Sequence, residues 1–216
     1  MLQFDLGRNR ERLRVLCLGA HSDDLEIGCS GTILEWIARF AEVEVTWVVM
    51  SAVGARASEA KRSATALLRQ ASKKTVILRE FKDGYFPSQF DAAKQLFEWL
   101  KGKVVPDIIL THRLEDRHQD HRLVAELTWQ TWRDHLILEY EIPKYEGDLG
   151  QPNLFVPLSI RTGKRKVEHL MRHFGTQRSR TWFVPQTFQS LLQLRGIECR
   201  AESGLAEAFS VRKATL

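Results

Sequence analysis

The sequence has few of the features that mark secreted, membrane-spanning or disulfide-stabilised proteins. Its 216 residues contain three cysteines, Cys17, Cys29 and Cys199, and no CxxC pair, which argues against a disulfide framework or a Cys-based zinc site. The longest apolar runs, such as Val15 to Ala20, are far shorter than the roughly 20 residues that cross a bilayer. The charged N-terminus lacks the apolar stretch of a secretory signal. We therefore expect a cytoplasmic protein.

Two motifs of common enzyme classes are also missing. Gly28 and Gly31 do not form a GxGxxG fingerprint, and the acidic residues beside them would oppose a pyrophosphate. The sequence has no GxSxG nucleophile elbow. Cys29 could be a nucleophile, but a buried thiol on the first predicted helix is the better interpretation. Dinucleotide binding and an elbow-type serine nucleophile are therefore poor hypotheses.

Positive charge is concentrated at the C-terminal end. Residues 161–216 hold 11 Lys and Arg against 4 Asp and Glu, whereas residues 1–160 hold 21 against 23. A basic segment attracts anionic partners. The segment has no zinc-finger spacing and no RNP-like aromatic run, so we expect no nucleic-acid partner. A solvated basic face and a site for a phosphorylated small molecule remain open.

Short β-branched runs alternate with helical periodicity along the first 140 residues. Apolar residues recur at helical spacing from Ile33 to Phe40 and from Ala93 to Leu100, and good helix formers fill Ser58 to Gln70. Five apolar runs are short enough to be buried strands. They are Leu13–Leu18, Val43–Met50, Thr75–Leu78, Ile108–Thr111 and Leu136–Tyr140.

This alternation predicts an α/β fold: a single Rossmann-like, doubly wound, mainly parallel sheet with helices on both faces. The expected strand order is 3-2-1-4-5. From residue 141 onward, prolines and glycines mark an irregular segment that two short helical patterns follow. We interpret residues 1–216 as one domain, in which residues 1–140 form the α/β core and residues 141–216 form an extension packed on the same sheet.

Histidines and carboxylates gather after two of the predicted strands. The segment from His21 to Gly28 follows strand 1, and the segment from Thr111 to Arg122 follows strand 4 and holds three of the seven histidines. Strands 1 and 4 are neighbours in the expected order, and ligands bind in the crevice between their carboxyl ends. Taken singly, the aspartates could be helix caps and the second run a charged helix start. Together they predict one site, and the carboxylates beside histidine favour a divalent cation.

These two segments resemble the PIG-L (LmbE-like) family of zinc-dependent de-N-acetylases. The family motif AHPDDxEIGCGGT stands here as AHSDDLEIGCSGT, with Ser22 in place of Pro and Ser30 in place of Gly. The second motif, HPDH, stands at residues 118–121 with Gln119 in place of Pro. The resemblance extends over nearly the whole chain through weaker matches at Arg56 with Glu59, FKDG (81–84), YEIP (140–143) and AEAF (206–209).

The resemblance implies a catalytic zinc site. Its ligands would be His21, Asp24 and His121, and a water would complete the coordination. Three protein ligands and an open position are typical of catalytic zinc. Iron could replace the zinc.

The resemblance also implies roles for four further residues. Asp23 would be the general base, and His118 would stabilise the oxyanion. Asp120 would orient His118 or balance its charge. Arg56 would contact the substrate.

The implied substrate is a small-molecule N-acetyl sugar conjugate, such as a glucosamine unit in a glycoconjugate or in a nucleotide- or lipid-linked precursor. The basic C-terminal segment is compatible with a phosphorylated substrate. Trp182, Phe183 and Phe188 could stack on a sugar ring, although core packing is the better interpretation for them.

Two other classes of function stay open from the sequence. One is a metal-dependent phosphoesterase that uses the same ligands, which a second metal would favour. The other is a non-catalytic glycan- or nucleotide-binding module, against which the retention of every motif His and Asp argues. A homo-oligomer is compatible with the sequence, and no transmembrane segment is expected.

Overall fold

Seven strands form one mixed sheet in the computed structural model, which describes Leu6 and residues 11–215. The N-terminal segment, for which the sequence predicts no secretory signal, lies largely outside these residues. The strands are β1 (Arg12–His21), β2 (Glu42–Ser51), β3 (Lys73–Leu78), β4 (Ile108–Thr111), β5 (Leu136–Tyr140), β6 (Leu154–Pro157) and β7 (Ala206–Ser210). The strand order is β3-β2-β1-β4-β5-β7-β6, so the expected order 3-2-1-4-5 is confirmed.

Helices cover both faces of the sheet, as the alternation in the sequence predicts. On β1, Val15 and Cys17 belong to one apolar core, and Leu16 and Leu18 belong to the other. The helices are α1 (Asp24–Arg39), α2 (Gly54–Leu67), α3 (Phe90–Lys101), α4 (Gln119–Thr131), α5 (Ile160–His173) and α6 (Pro185–Glu198). The first core is shared with α1, α2, α5 and α6, and the second with α3 and α4. No helix in the described part of the chain is long and apolar enough to cross a membrane.

The segment after residue 141 supplies two strands that the sequence pattern did not predict. β7 pairs antiparallel with both β5 and β6. The sequence of β7 does not have the apolar pattern of a buried strand, because its Glu207 is buried among apolar residues. That carboxylate accepts hydrogen bonds from the amides of Gly31 (2.8 Å) and Thr32 (2.6 Å) and pairs with Lys166. The two helical patterns of this segment are confirmed as α5 and α6.

Core packing accounts for several side chains that have alternative interpretations in the sequence. Phe183 and Phe188 are buried and meet edge to face, with ring centroids 5.2 Å apart. Cys29 is fully buried in α1. These residues support the fold, and none of the three is available to a ligand.

Close packing between α1 and β5 places the start of α1. A Cβ added to Gly28 would lie 2.2 Å from Cδ2 of Tyr140. The hydroxyl of Tyr140 donates to the carbonyl of Leu18, 2.7 Å away, which anchors the ring against β1. Because the Tyr140 ring is anchored in this way, there is no room for a methyl group on Gly28.

We predict that Gly28→Ala lowers the free energy of unfolding by about 1–3 kcal/mol, because the added methyl group overpacks the core. Urea denaturation measures the change. Gly102→Ala is the matched control, since its Cβ would meet its nearest neighbouring atom at 3.6 Å. Equal stability of Gly28→Ala and the wild type would contradict the packing argument.

Candidate active site

The site lies where β1 and β4 end side by side. These strands pair in parallel, with Cys17 opposite Leu110, so the segments that follow them emerge at the same edge of the sheet. β1 ends at His21 and α1 begins at Asp24. Residue His118 is the N-cap of α4. The two sequence motifs therefore meet at one crevice, as the strand order predicts.

Three of the sequence-predicted residues bring one ligand atom each to a common point. Nδ1 of His21 lies 3.1 Å from Nε2 of His121. Oδ2 of Asp24 lies 3.4 Å from the former atom and 3.5 Å from the latter. All three side chains are buried. Their atoms form a nearly equilateral triangle.

Outer carboxylates determine which ring nitrogens carry protons. Nε2 of His21 lies 3.1 Å from Oδ2 of Asp120 and 3.1 Å from Oδ1 of Asp83, and Nδ1 of His121 lies 3.0 Å from Oδ2 of Asp116. An ionised carboxylate only accepts hydrogen bonds, so each ring places its proton on the outer nitrogen. The inner nitrogens, Nδ1 of His21 and Nε2 of His121, therefore present lone pairs to each other. Such a pair of nitrogens can hold a cation or share one additional proton.

The two buried outer carboxylates, Asp116 and Asp120, are held in the ionised form. Burial favours the neutral acid, but the hydrogen bond with His121 keeps the pKa of Asp116 well below its usual value. Burial likewise opposes ionisation of Asp120, and the hydrogen bonds from His21 and from the amides of Phe86 and Gly84 keep its pKa low. The assignment of the histidine tautomers depends on these two charges.

Asp23 lies beside the triangle and pairs with a different partner. Its Oδ1 is 2.9 Å from NH2 of Arg56, whose NH1 is 3.3 Å from Oδ2 of Asp83. Asp23 occupies the N-cap position of α1, yet its side chain makes no capping bond, so the helix-cap interpretation fails. Burial raises the pKa of Asp23, and the Arg56 charge partly offsets this. The sequence implies a substrate contact for Arg56, and the structure places its guanidinium on these two carboxylates.

His118 is oriented through the backbone. Its Nδ1 accepts a hydrogen bond from the Asp120 amide, 3.2 Å away, so the ring proton of the neutral form is on Nε2. Burial lowers the pKa of His118, which keeps the ring a neutral donor at neutral pH. The expectation that the Asp120 carboxylate orients His118 differs from the observed contacts, because that carboxylate binds His21 and the amides of Gly84 (2.7 Å) and Phe86 (3.0 Å).

Comparison with known proteins agrees with the sequence motifs. Residues 16–132 match the family model PIG-L, described as GlcNAc-PI de-N-acetylase. The chain belongs to the PIG-L family. No curated protein sequence matches it.

Solved structures with the same fold include two deacetylases and a hydratase. N,N'-diacetylchitobiose deacetylase from Pyrococcus horikoshii is 20% identical to this chain. The two structures superpose with a TM-score of 0.71 over 92% of this chain and 83% of the deacetylase chain. The zinc-inhibited form of teicoplanin deacetylase Orf2 is 12% identical with a TM-score of 0.71, covering 93% and 98%. GalB, the 4-carboxy-2-hydroxymuconate hydratase from Pseudomonas putida KT2440, is 16% identical with a TM-score of 0.76, covering 94% and 98%. At these identities the likeness shows the fold of the PIG-L chain and no more.

One histidine of the PIG-L site was not among the residues that the motifs single out. His112 directly follows β4, is fully buried and stacks on His121 with ring centroids 3.9 Å apart. Its Nε2 accepts from the Ala20 amide at 3.0 Å and lies 3.2 Å from Oδ2 of Asp24. Burial lowers its pKa to about 4, so the ring is neutral. Its position at the end of a buried strand is the signal that could have identified it.

Hydrogen bonds hold the two loops at the positions where the family motif has proline. The hydroxyl of Ser22 donates to the carbonyl of Ser51, 3.3 Å away on β2. The side-chain amide of Gln119 donates, through Nε2, to the carbonyl of Gly84, 3.1 Å away. Side-chain contacts thus restrain loops that a proline ring would restrain through the backbone.

We predict that binding of a divalent cation at this triangle strengthens as the pH rises from 6 to 8. Burial opposes protonation of His21, but the neighbouring Asp24 charge and the bonds to Asp120 and Asp83 hold its pKa well above its usual value. A cation must displace that proton, so the apparent affinity should rise by roughly tenfold per pH unit while the proton is bound. Competition titrations against a chelator measure the slope. A flat profile would mean that the inner nitrogens are not the binding atoms.

Proposed function

We propose that the protein is a zinc-dependent hydrolase that removes the N-acetyl group from an N-acetylated amino sugar. The observation that carries the proposal is the triangle formed by Nδ1 of His21, Nε2 of His121 and Oδ2 of Asp24, three atoms that lie 3.1 to 3.5 Å apart. Membership of the PIG-L family, whose model is described as a de-N-acetylase, supports the reaction class. The deacetylase structures of the same fold are compatible with it.

The proposed zinc ligands are His21, Asp24 and His121. Ligand atoms about 2.1 Å from a tetrahedral ion lie about 3.4 Å apart, and the three observed separations are 3.1, 3.4 and 3.5 Å. Imidazole and carboxylate are ligands that zinc accepts. Zinc bound there would lower the pKa of a water toward about 7 and polarise the carbonyl of the amide.

One cation is proposed, not two. In the described part of the chain, the other groups of His and Asp close enough to hold an ion all include His118 or His112. Nδ1 of His118 and Nε2 of His112 already accept backbone amides, so neither of these lone pairs is free for a metal. This argues against a two-metal phosphoesterase. Two metals per chain in the purified protein would reverse that conclusion.

Asp23 is the proposed general base. Its carboxylate is buried next to the ligand Asp24, and its pKa is raised, so it can accept a proton from the attacking water. As the tetrahedral species collapses, the C–N bond breaks and the leaving nitrogen needs a proton. Asp23 holds the proton that it took from the water and can return it.

His118 is the proposed oxyanion donor. Its Nε2–H is fixed by the bond from the Asp120 amide to Nδ1, and it belongs to the same cluster as His21 and His121. A donor that is oriented before the reaction stabilises the developing negative charge without reorganisation, and the loss of one such donor typically costs about 10²–10³ in rate.

We predict opposite behaviour for two variants of the site. Asp23→Asn should keep the metal and lose at least about 10²-fold in turnover, because the base is removed. His121→Ala should lose the metal, because one of three ligands is gone. Mass spectrometry measures the metal bound per chain. Acetate release from N-acetylglucosamine conjugates measures turnover. Wild-type turnover by Asp23→Asn would remove Asp23 from the base role, and a wild-type protein without metal would overturn the proposal.

We also predict a pH signature for Arg56. Its guanidinium lowers the pKa of Asp23, so Arg56→Ala should raise that pKa further and move the acid limb of kcat/KM to higher pH, with the metal retained. Arg62→Ala, on the exposed side of the same helix, is the control. An unchanged acid limb with a higher KM would instead mean that Arg56 acts on the substrate alone.

A further inference from the structure

A loop beyond the family-matched residues returns to the site. Residues 144–150, called the return loop here, follow β5 and contact the segment 113–117 that leads into α4. Oδ2 of Asp148 accepts from the amide of Arg117 at 2.7 Å, and its carbonyl accepts from NH1 of Arg113 at 2.8 Å. A Cβ on Gly150 would lie 2.3 Å from NH2 of Arg113. The two segments therefore fit closely together.

Lys144 connects the return loop to the proposed metal ligand His121. Its Nζ lies 3.1 Å from Oδ2 of Asp116, the atom that accepts the Nδ1 proton of His121 at 3.0 Å. The same ammonium lies 2.7 and 2.6 Å from the two carboxylate oxygens of Asp148. The Lys144 side chain is only 9% exposed, and those of Asp116 and Asp148 are 5% exposed. Because these charges are buried, each one depends on its partner.

Asp116 needs such a partner because its own segment has no regular structure. Residues 113–118 lie between β4 and α4 in turns and bends. One carboxylate oxygen of Asp116 accepts the amide of His118 at 2.8 Å, and the other contacts both His121 and Lys144. If the carboxylate turned away from His121, the ring proton could move to the inner nitrogen and block the metal position.

We propose that Lys144 and Asp148 form a clamp that holds Asp116 against His121 and thereby keeps Nε2 of His121 directed at the proposed metal position. The inference rests on the proposed function. Lys144 and Asp148 are positioning residues, since they act through Asp116. Both lie outside residues 16–132 that match the family model.

Replacing Lys144 tests the clamp. Lys144→Met keeps the length of the side chain and removes the charge, and it should weaken zinc binding by about 10–100-fold, as loss of an outer partner of a metal-ligating histidine does elsewhere. The visible absorption of the cobalt-substituted protein should also change, because the geometry of His121 at the metal changes. Lys144→Arg keeps the charge and should recover most of the affinity.

Two further variants separate positioning from stability. Arg14→Met removes another paired cation, which lies 2.9 Å from Asp107 near the amino ends of β1 and β4, at the edge of the sheet opposite the site. It should lower stability and leave zinc affinity unchanged. Asp148→Asn is the milder change in the clamp and should weaken zinc binding in the same direction if Lys144→Met does not fold.

The possible results are distinct. Wild-type zinc affinity and an unaltered cobalt spectrum in Lys144→Met, or in Asp148→Asn where that variant replaces it, would overturn the clamp and leave the proposed function standing. The same would follow if Arg14→Met weakened zinc binding equally, because the effect would then be a general loss of stability. Absence of metal binding by the wild-type protein would overturn the proposed function and the clamp together.

Discussion

The site depends on two ring protons that are held on the outside. Asp120 takes the proton of His21 and Asp116 takes that of His121, and the inner nitrogens are left 3.1 Å apart with their lone pairs facing. Two lone pairs at that distance repel each other unless a cation or a proton lies between them. The protein therefore folds into an arrangement that is complete only when something positive occupies the triangle with Asp24.

The anchors come from opposite sides of the switch point in the sheet. Asp120 is held by the amides of Gly84 and Phe86, which belong to the loop after β3. Asp116 is held by Lys144 from the return loop after β5. The strand order places β3 and β5 on either side of the β1/β4 pair, so the two carboxylates are fixed independently. This arrangement explains why a site made by two short motifs requires loops from four strands.

The sequence predicts the parallel strands and the motif residues at their ends better than it predicts the later strands and the residues that anchor the site. The five parallel strands are continuous apolar runs, so periodicity identifies them, and the motifs at His21 and His118 follow directly from their ends. β6 and β7 are short, and β7 buries a glutamate, so the same rule overlooks them. No local sequence pattern marks Lys144, because its contact with Asp116 joins residues 28 positions apart. Ser22 and Gln119 depart from the family motif, yet their hydrogen bonds restrain the same loops.

The fold does not select the reaction, since a hydratase and deacetylases share it. Selection has to come from the groups beside the proposed metal position. Amide hydrolysis requires a group that takes a proton from water and then gives one to the leaving nitrogen, so its pKa must be high enough for both steps. Asp23 has such a pKa because burial raises it, while Arg56 limits the rise. The oxyanion requires a donor that does not lose its proton, and His118 meets this because Nε2–H is the only tautomer that its contact with the Asp120 amide permits. An acid–base group of adjustable charge beside a neutral donor of fixed direction is therefore the feature that favours amide hydrolysis at this site.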